Sequence, residues 1–100
     1  MADINRSIQL VARTGKVSFG FNETLAALRG GRAKLIIISG NIPQEKKSEL
    51  EHFVKLSGTP VLQYAGSSIE LGALCEKPFM ISVMAVKETG DSDILKMVKD

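Results

Sequence analysis

The chain is poor in the residues that covalent cross-links and membrane crossing require. Cys75 is its only cysteine, so an internal disulfide is impossible and a reducing compartment is expected. The opening residues lack the apolar core of a signal peptide, and apolar runs such as Leu35–Ile38 are too short to cross a bilayer. The sequence therefore predicts a soluble, cytoplasmic protein without membrane contact.

Groups that carry out catalysis are scarce as well. His52 is the only histidine, and neither Cys75 nor the carboxylates stand at a spacing that would complete a metal site or a catalytic triad with it. Gly15-Lys16 lacks the other residues of a phosphate-binding P-loop. We therefore expect no enzyme activity, no cofactor and no metal site.

What remains is an ordinary globular composition. Hydrophobic residues make up 44% of the chain and charged residues 24%, which argues against intrinsic disorder. The 100 residues leave room for one hydrophobic core only. We therefore expect a single domain over residues 1–100.

The charge of the chain is small in sum but uneven along its length. Residues 1–40 carry six Lys or Arg against two acids, whereas residues 41–100 carry seven against nine. A basic first half suits contact with phosphates. Solvated helix faces often produce the same bias, so charge alone leaves both interpretations open.

Helical and strand periodicities alternate along the chain, which predicts a sheet covered by helices. Strands are expected at 17–19, 34–39, 60–64 and 80–86, and the unbroken apolar run 35–38 predicts a strand buried on both faces. The helices are expected to start at Asp3, near Asn22, at Pro43, at the Ser67–Glu70 capping box and at Asp91. The inner face of the third helix is expected to carry Leu50, Phe53, Val54 and Ser57.

Six segments, in this order, resemble one family. Residues 20–25 (GFNETL), 29–38 (RGGRAKLIII), and Asn41 with Pro43 resemble the first half of the kink-turn-binding ribosomal proteins. Residues 47–51 (KSELE), 68–72 (SIELG) and 90–95 (GDSDIL) continue the likeness, and the last is similar to the large-subunit family "thirty-e" of archaea and eukaryotes. The resemblance covers nearly the whole chain.

This resemblance implies an α/β fold, a three-layer α/β/α sandwich around a four-stranded mixed sheet. It also implies an RNA partner, a kink-turn in rRNA, which is a sharply bent helix–bulge–helix element with tandem sheared G·A pairs. Other proteins of the large ribosomal subunit would be further partners, and the free chain is expected to be a monomer. In a ribosome the protein would hold bent RNA without turnover.

The resemblance also implies which residues contact RNA. Gly20 and Phe21 open the family segment, in which glycine allows close approach to the backbone. Asn22 and Glu23 would address base edges at the G·A pairs, because an amide both donates and accepts while a carboxylate accepts from guanine. The helix N-terminus behind them would add free N–H groups.

Further contacts are expected at Asn41, after the second strand, and at Phe79, an aromatic near the fourth strand. Arg29, Arg32 and Lys34 would add less specific attraction for phosphates.

Several of these residues have a structural alternative. Asn22 could be a helix N-cap, Glu23 could complement the helix dipole, Asn41 could be a turn residue and Phe79 could belong to the core. The family match favours RNA contact for the first three and leaves Phe79 undecided.

The sequence departs from the family pattern at Ala26 and Met80, and Asn22-Glu23 resembles the broader kink-turn pattern more than the usual thirty-e version of this loop. Ala26 stands where many kink-turn binders have lysine, and Met80 where thirty-e proteins often have arginine. Two alternatives to a ribosomal role therefore stay open: a kink-turn-binding paralogue outside the ribosome, and a protein-interaction scaffold that has lost RNA binding.

Overall fold

Helices and strands alternate along residues 4–98, the part of the chain that the computed structural model describes. The helices in this part are α1 (Ile4–Thr14), α2 (Phe21–Arg29), α3 (Gln44–Ser57), α4 (Ser68–Leu74) and α5 (Ile94–Val98). The strands are β1 (Lys16–Phe19), β2 (Leu35–Ile38), β3 (Val61–Gln63) and β4 (Val83–Glu88). The predicted order of elements is confirmed.

The strands form one mixed sheet in the order β1-β4-β2-β3. Strands β2 and β3 are parallel, while β4 is antiparallel to both β1 and β2. Strands β1, β2 and β3 therefore point the same way and finish at the same end of the sheet, where β4 begins. We call this end, with Gly20, residues 39–41 and residues 82–83, the carboxyl end; the amino end lies opposite, at Lys16, Lys34 and Lys87.

Both faces of the sheet are covered, as the apolar run in β2 predicts. All four residues of β2 are buried. Leu35 and Ile37 pack against side chains from α1, α4 and α5, whereas Ile36 and Ile38 pack against α2 and α3. Burying each such side chain is worth about 1.5–3 kcal/mol. The predicted three-layer α/β/α sandwich is confirmed.

The N-terminus of α4 follows its predicted capping box. The Ser67 hydroxyl accepts a hydrogen bond from Glu70 N at 3.2 Å, and Ser67 N donates to Glu70 Oε1 at 3.0 Å. Two amides that would lack a partner at the helix end are satisfied in this way. The local sequence therefore fixes where α4 starts.

The fourth strand begins at Val83 and ends at Glu88, so the prediction of 80–86 was wrong at both ends. Met80 is 65% exposed, and the amide of Ile81 donates to Ser68 O at 3.0 Å. This hydrogen bond ties Ile81 to the first residue of α4 instead of to a neighbouring strand. At the other end Glu88 still pairs with Lys16, which lengthens β4 beyond its apolar run.

Some predicted helix details also need correction. Pro43 is the N-cap of α3 instead of a residue of its first turn, and Ser57 is exposed instead of facing the core. At α5 the Ser92 hydroxyl, not Asp91, accepts a hydrogen bond from Ile94 N. The predicted cap Asp3 lies outside the described residues. Within the described residues, no helix has the length and apolarity to cross a membrane.

Candidate nucleic-acid interface

The N-terminus of α2 is open to solvent at the carboxyl end of the sheet. Gly20 is its N-cap, with φ 98° and ψ 161°, and no side chain caps the helix. The Gly20 amide donates to Val83 O at 3.0 Å, which fixes the start of α2 against β4, and Gly20 O accepts the amide of Thr24. The amides of the first helical turn before Thr24 have no acceptor within the helix, so they can receive an anionic or carbonyl oxygen.

Asn22 and Glu23 stand on this open first turn. Both are exposed, and within residues 4–98 neither side chain makes a hydrogen bond or ion pair with the protein. Because Gly20 occupies the N-cap position, the alternative that Asn22 caps the helix is wrong. Glu23 does place its charge in the first turn, where the helix dipole stabilises it.

Asn41 joins two elements instead of only forming a turn. Its Oδ1 accepts hydrogen bonds from the amide of Ser68 at 2.8 Å and from the hydroxyl of Ser39 at 3.0 Å. These bonds connect the end of β2 to the start of α4. They engage the oxygen of the carboxamide, and within residues 4–98 the NH₂ group of this exposed residue donates to no protein acceptor, so it remains a donor.

Phe79 lies on the surface beside α4. It is 50% exposed and contacts Phe19 edge-on, with the ring centroids 6.0 Å apart. Gly72 permits this packing, because a Cβ at Gly72 would lie 2.1 Å from Phe79 O. Phe79 therefore does not belong to the core. Together with the exposed side chains of Ile69 and Met80 it forms what we call the apolar patch.

These groups meet at the carboxyl end through a series of backbone hydrogen bonds. Gly20 N donates to Val83 O, Ser39 N to Ser82 O at 2.8 Å, and Gly40 N to Gly66 O at 2.8 Å. The starts of α2 and α4, the end of β2 and the apolar patch are thereby held side by side. The family segment at Asn22 and Glu23 and the two later family positions, Asn41 and Phe79, are far apart in sequence but lie at the same end of the sheet.

Phe21 lies at the same end but is half-buried, packed against the core between α2 and α3. The ammonium of Lys46 stands 5.3 Å from the Phe21 ring centroid, and that of Lys77 stands 5.3 Å from the Phe19 ring centroid. These two cations were missed from the sequence. Lys77, two residues before Phe79, was the one that proximity in sequence could have suggested.

The three cations predicted to attract phosphates are not part of this surface. The Arg29 guanidinium lies over the Phe53 ring of α3, 5.4 Å from its centroid. Arg32 and Lys34 line a cleft at the amino end of the sheet. The structure therefore separates the cations of the family segment from Asn22 and Glu23.

The two side chains considered for catalysis lie in ordinary settings. His52 is exposed on α3 beside Phe53. Burial raises the pKa of the Cys75 thiol to about 11, against a small lowering by Lys77, so it stays protonated at neutral pH. Among residues 4–98, no three His, Cys, Asp or Glu side chains are grouped to hold a metal ion.

The fold and this surface define a small α/β protein with a polar helix start and an aromatic side chain at one end of its sheet. Residues 2–96 match the family described as "Ribosomal protein L7Ae/L30e/S12e/Gadd45 family", and the chain belongs to that family. The thirty-e resemblance is confirmed by relatives called "Large ribosomal subunit protein eL30". The one from Pyrobaculum neutrophilum is 44% identical over 99 residues, covering 99% of this chain and 98% of the relative.

Two further relatives of the same name come from a eukaryote and a second archaeon. The Neurospora crassa protein is 51% identical and covers 92% of this chain and 84% of its own length. The Methanothermobacter thermautotrophicus protein is 41% identical, and the match covers 96% of this chain and 98% of the relative. A solved structure, "The structure of a protein with unknown function from Bacillus halodurans C", superposes with a TM-score of 0.82 at 23% identity over 98% of this chain and 97% of its own, which supports the fold alone.

Proposed function

We propose that the chain is a structural constituent of the large subunit of the cytoplasmic ribosome, where it binds a kink-turn in rRNA and stabilises its bent form. One observation carries the proposal: the open N-terminus of α2 presents Asn22 and Glu23 beside Asn41 and Phe79 on a single surface. The names of the eL30 relatives support the ribosomal setting. Its neighbours would be rRNA and other large-subunit proteins, and the free protein would be a monomer.

The chemistry of this surface suits a distorted RNA helix. A kink-turn exposes base edges that a regular A-form groove hides. The Glu23 carboxylate would accept hydrogen bonds from guanine N–H groups, while the Asn22 amide would both donate and accept. No atom lies within 4 Å of the position that a Gly20 Cβ would occupy, so RNA can approach the backbone closely there.

The other side of the surface would hold the bulged nucleotides. A base stacked on the half-exposed Phe79 ring would contribute about 1–3 kcal/mol. The NH₂ group of Asn41 would donate to a base or phosphate, since its oxygen is already bonded to α4. These contacts bind and orient RNA, and the proposed role includes no catalysed step.

The direct test is a titration with a short kink-turn RNA and with a control RNA whose G·A pairs are replaced by Watson–Crick pairs, each at two salt concentrations. We expect tight binding to the kink-turn only, and a loss of about tenfold or more on Asn22→Ala or Glu23→Ala, each change removing interactions with bases worth roughly 1–3 kcal/mol. Equal, weak and steeply salt-dependent binding to both RNAs would refute specific recognition and favour the scaffold alternative.

Glu23→Ala is the more decisive variant because it removes a negative charge. If RNA binding were only attraction to phosphates, losing this acid would tighten binding. Glu45, an exposed acid in the first turn of α3, provides the matched control. We expect Glu45→Ala to leave kink-turn affinity unchanged or slightly stronger, while Glu23→Ala weakens it.

The ribosomal setting needs its own measurement. Tagged protein expressed in cells should sediment with large subunits and stay bound through washes at high salt. Recovery in smaller particles only, with kink-turn binding intact, would instead identify a paralogue that acts outside the ribosome.

A further inference from the structure

A cluster of cations surrounds a cleft at the amino end of the sheet. Lys16, Arg32, Lys34 and Lys87 line a cleft of about 380 Å³, together with Gly31 and Glu88. We call it the basic cleft. It lies across the molecule from Asn22 and Glu23, because β4 runs from one end of the sheet to the other, a length of about 17 Å for six residues.

The sheet topology brings these cations together from three parts of the chain. Lys16 starts β1 and pairs with Glu88 of β4, next to a register shift between Lys16 and Val17. The Lys34 amide donates to Val86 O at 2.7 Å, which places Lys34 beside Lys87. Arg32 follows α2, and its guanidinium folds back toward Gly30. Three of the four cations therefore stand on backbone bonded into the sheet, while the Arg32 amide donates to Ala27 O of α2.

The charge of the cleft is hardly compensated. Within the part of the chain that the structure describes, Glu88 is the only acid that lines the cleft. Its carboxylate lies 3.9 Å from Lys16 Nζ with both side chains mostly exposed, so this pair is weak. Among residues 4–98, no carboxylate lies within ion-pair distance of Arg32, Lys34 or Lys87. Four cations and one acid give +3, whereas the whole chain carries +2, so the remainder sums to −1.

The lining of the cleft points to the class of ligand. The described residues that line it include no apolar side chain, whereas protein interfaces are depleted of charge at their core and bind through aromatic or aliphatic anchors. Arg32 can donate two parallel hydrogen bonds to a phosphate, and the lysines act as point charges. No atom lies within 4 Å of the position that a Gly31 Cβ would occupy, so a phosphate can reach the backbone beside it.

We infer that the basic cleft binds the phosphodiester backbone of a second RNA segment, so that the protein joins two RNA elements held at opposite ends of its sheet. This surface is distinct from the proposed kink-turn site and does not depend on it. Recognition is by charge and backbone approach, so an ordinary RNA duplex suffices as a ligand.

The test uses the full chain with its carboxyl end saturated by unlabelled kink-turn RNA. A fluorescent RNA duplex without a kink-turn is then titrated by anisotropy. We expect one additional duplex per protein, with an affinity that falls roughly 40-fold between about 50 and 200 mM salt if three phosphates are neutralised. The same titration on Asn22→Ala/Glu23→Ala protein should give the same result, which separates the cleft from the kink-turn site.

Two triple variants of equal charge decide whether the cleft itself is responsible. The first variant removes three cations from the cleft: Arg32→Gln/Lys34→Gln/Lys87→Gln. The second removes three cations from α3 and α5: Lys47→Gln/Lys55→Gln/Lys96→Gln. We expect the first to lower duplex affinity by more than about tenfold with kink-turn affinity kept, and the second to lower it less than about twofold. Retained kink-turn affinity also reports that the variant is folded.

Equal losses in the two triple variants would overturn the inference, because net charge alone would then explain binding. It would also be overturned if polyglutamate of matched charge bound as tightly as the duplex, since the ligand would then be an acidic protein segment. If kink-turn RNA itself does not bind, duplex titrations of the same two variants as free protein decide whether the cleft binds RNA.

Discussion

At the scale of single residues, Gly20 is required by its backbone conformation and not by lack of space. Its φ of 98° with ψ of 161° lies in a region that is essentially restricted to glycine, while no atom would touch an added Cβ. We therefore expect Gly20→Ala to lower the free energy of unfolding by about 1–3 kcal/mol, measured by urea denaturation with an unchanged slope.

Gly30 provides the control for this substitution. Its φ is −82°, and the nearest atom to an added Cβ is Nε of the flexible Arg32 side chain, at 3.2 Å. Gly30→Ala should therefore cost less than roughly 0.5 kcal/mol or be stabilising. Similar losses in both variants would contradict the backbone argument.

The buried thiol of Cys75 makes the free energy of unfolding depend on pH in the alkaline range. Burial raises its thiol pKa from 9.0 to about 11, so the unfolded chain loses this proton at lower pH than the folded protein does. This contribution to stability is complete below pH 9 and is lost as the pH rises toward 11. Wild type should therefore lose up to roughly 2 kcal/mol more than Cys75→Ala over that interval, as measured by urea denaturation at each pH. If the free energy of unfolding fell equally with pH in wild type and in Cys75→Ala, this prediction would be contradicted.

The site was predictable from sequence only in part. Asn22, Glu23 and Asn41 were predicted as RNA contacts because they stand in recognisable segments, whereas the role of Phe79 was left undecided. The bond from Asn41 to Ser68 could not be foreseen, because it spans 27 positions and depends on how β2 and α4 meet. Arg29 and Arg32 were likewise predicted to act together because they are close in sequence. In the structure Arg29 packs on α3, whereas Arg32 lines the basic cleft.

At the scale of elements, α4 and the loop that follows it act as one support for the apolar patch. Gly72 is buried, and a Cβ there would lie 2.1 Å from Phe79 O, so the loop must shift if any side chain is added. We expect Gly72→Ala to lower stability by about 1–3 kcal/mol and to weaken kink-turn RNA binding severalfold, because Phe79 is displaced.

Ala73→Gly separates these two effects. Ala73 is exposed on the same helix, and its replacement costs up to about 1 kcal/mol of helix propensity without pushing on the loop. RNA affinity at a temperature where both variants are folded should drop for Gly72→Ala only. An equal drop would mean that general loosening of α4, not displacement of Phe79, is responsible.

Local pattern located most elements because helix and strand periods are properties of short segments. It failed at the start of β4, where Met80 and Ile81 have strand-like side chains but the backbone bonds to Ser68 of α4. It also gave no strand order, since placing β4 between β1 and β2 is a matter of tertiary pairing.

At the scale of the whole molecule, the position of a positive charge should affect RNA affinity more than the net charge of the protein does. Met80 and Leu56 are exposed by 65% and 73%, the first in the apolar patch and the second on α3. Met80→Arg and Leu56→Arg both raise the formal net charge from +2 to +3. We expect only Met80→Arg to tighten kink-turn binding severalfold and to steepen its salt dependence by about one phosphate contact. Equal changes would show that net charge alone governs RNA affinity.

The central position of β4 has a consequence for how the chain folds during its own synthesis. β1 and β2 have no pairing with each other. β1 meets its neighbour only when residues 83–88 are available, whereas β2 can pair earlier with β3. At about 5–20 residues per second, β1 must wait roughly 4–14 s after its translation before it can pair. The four-stranded sheet is therefore completed late, when β4 joins β1 to the β2–β3 pair after nearly the whole described chain has been made.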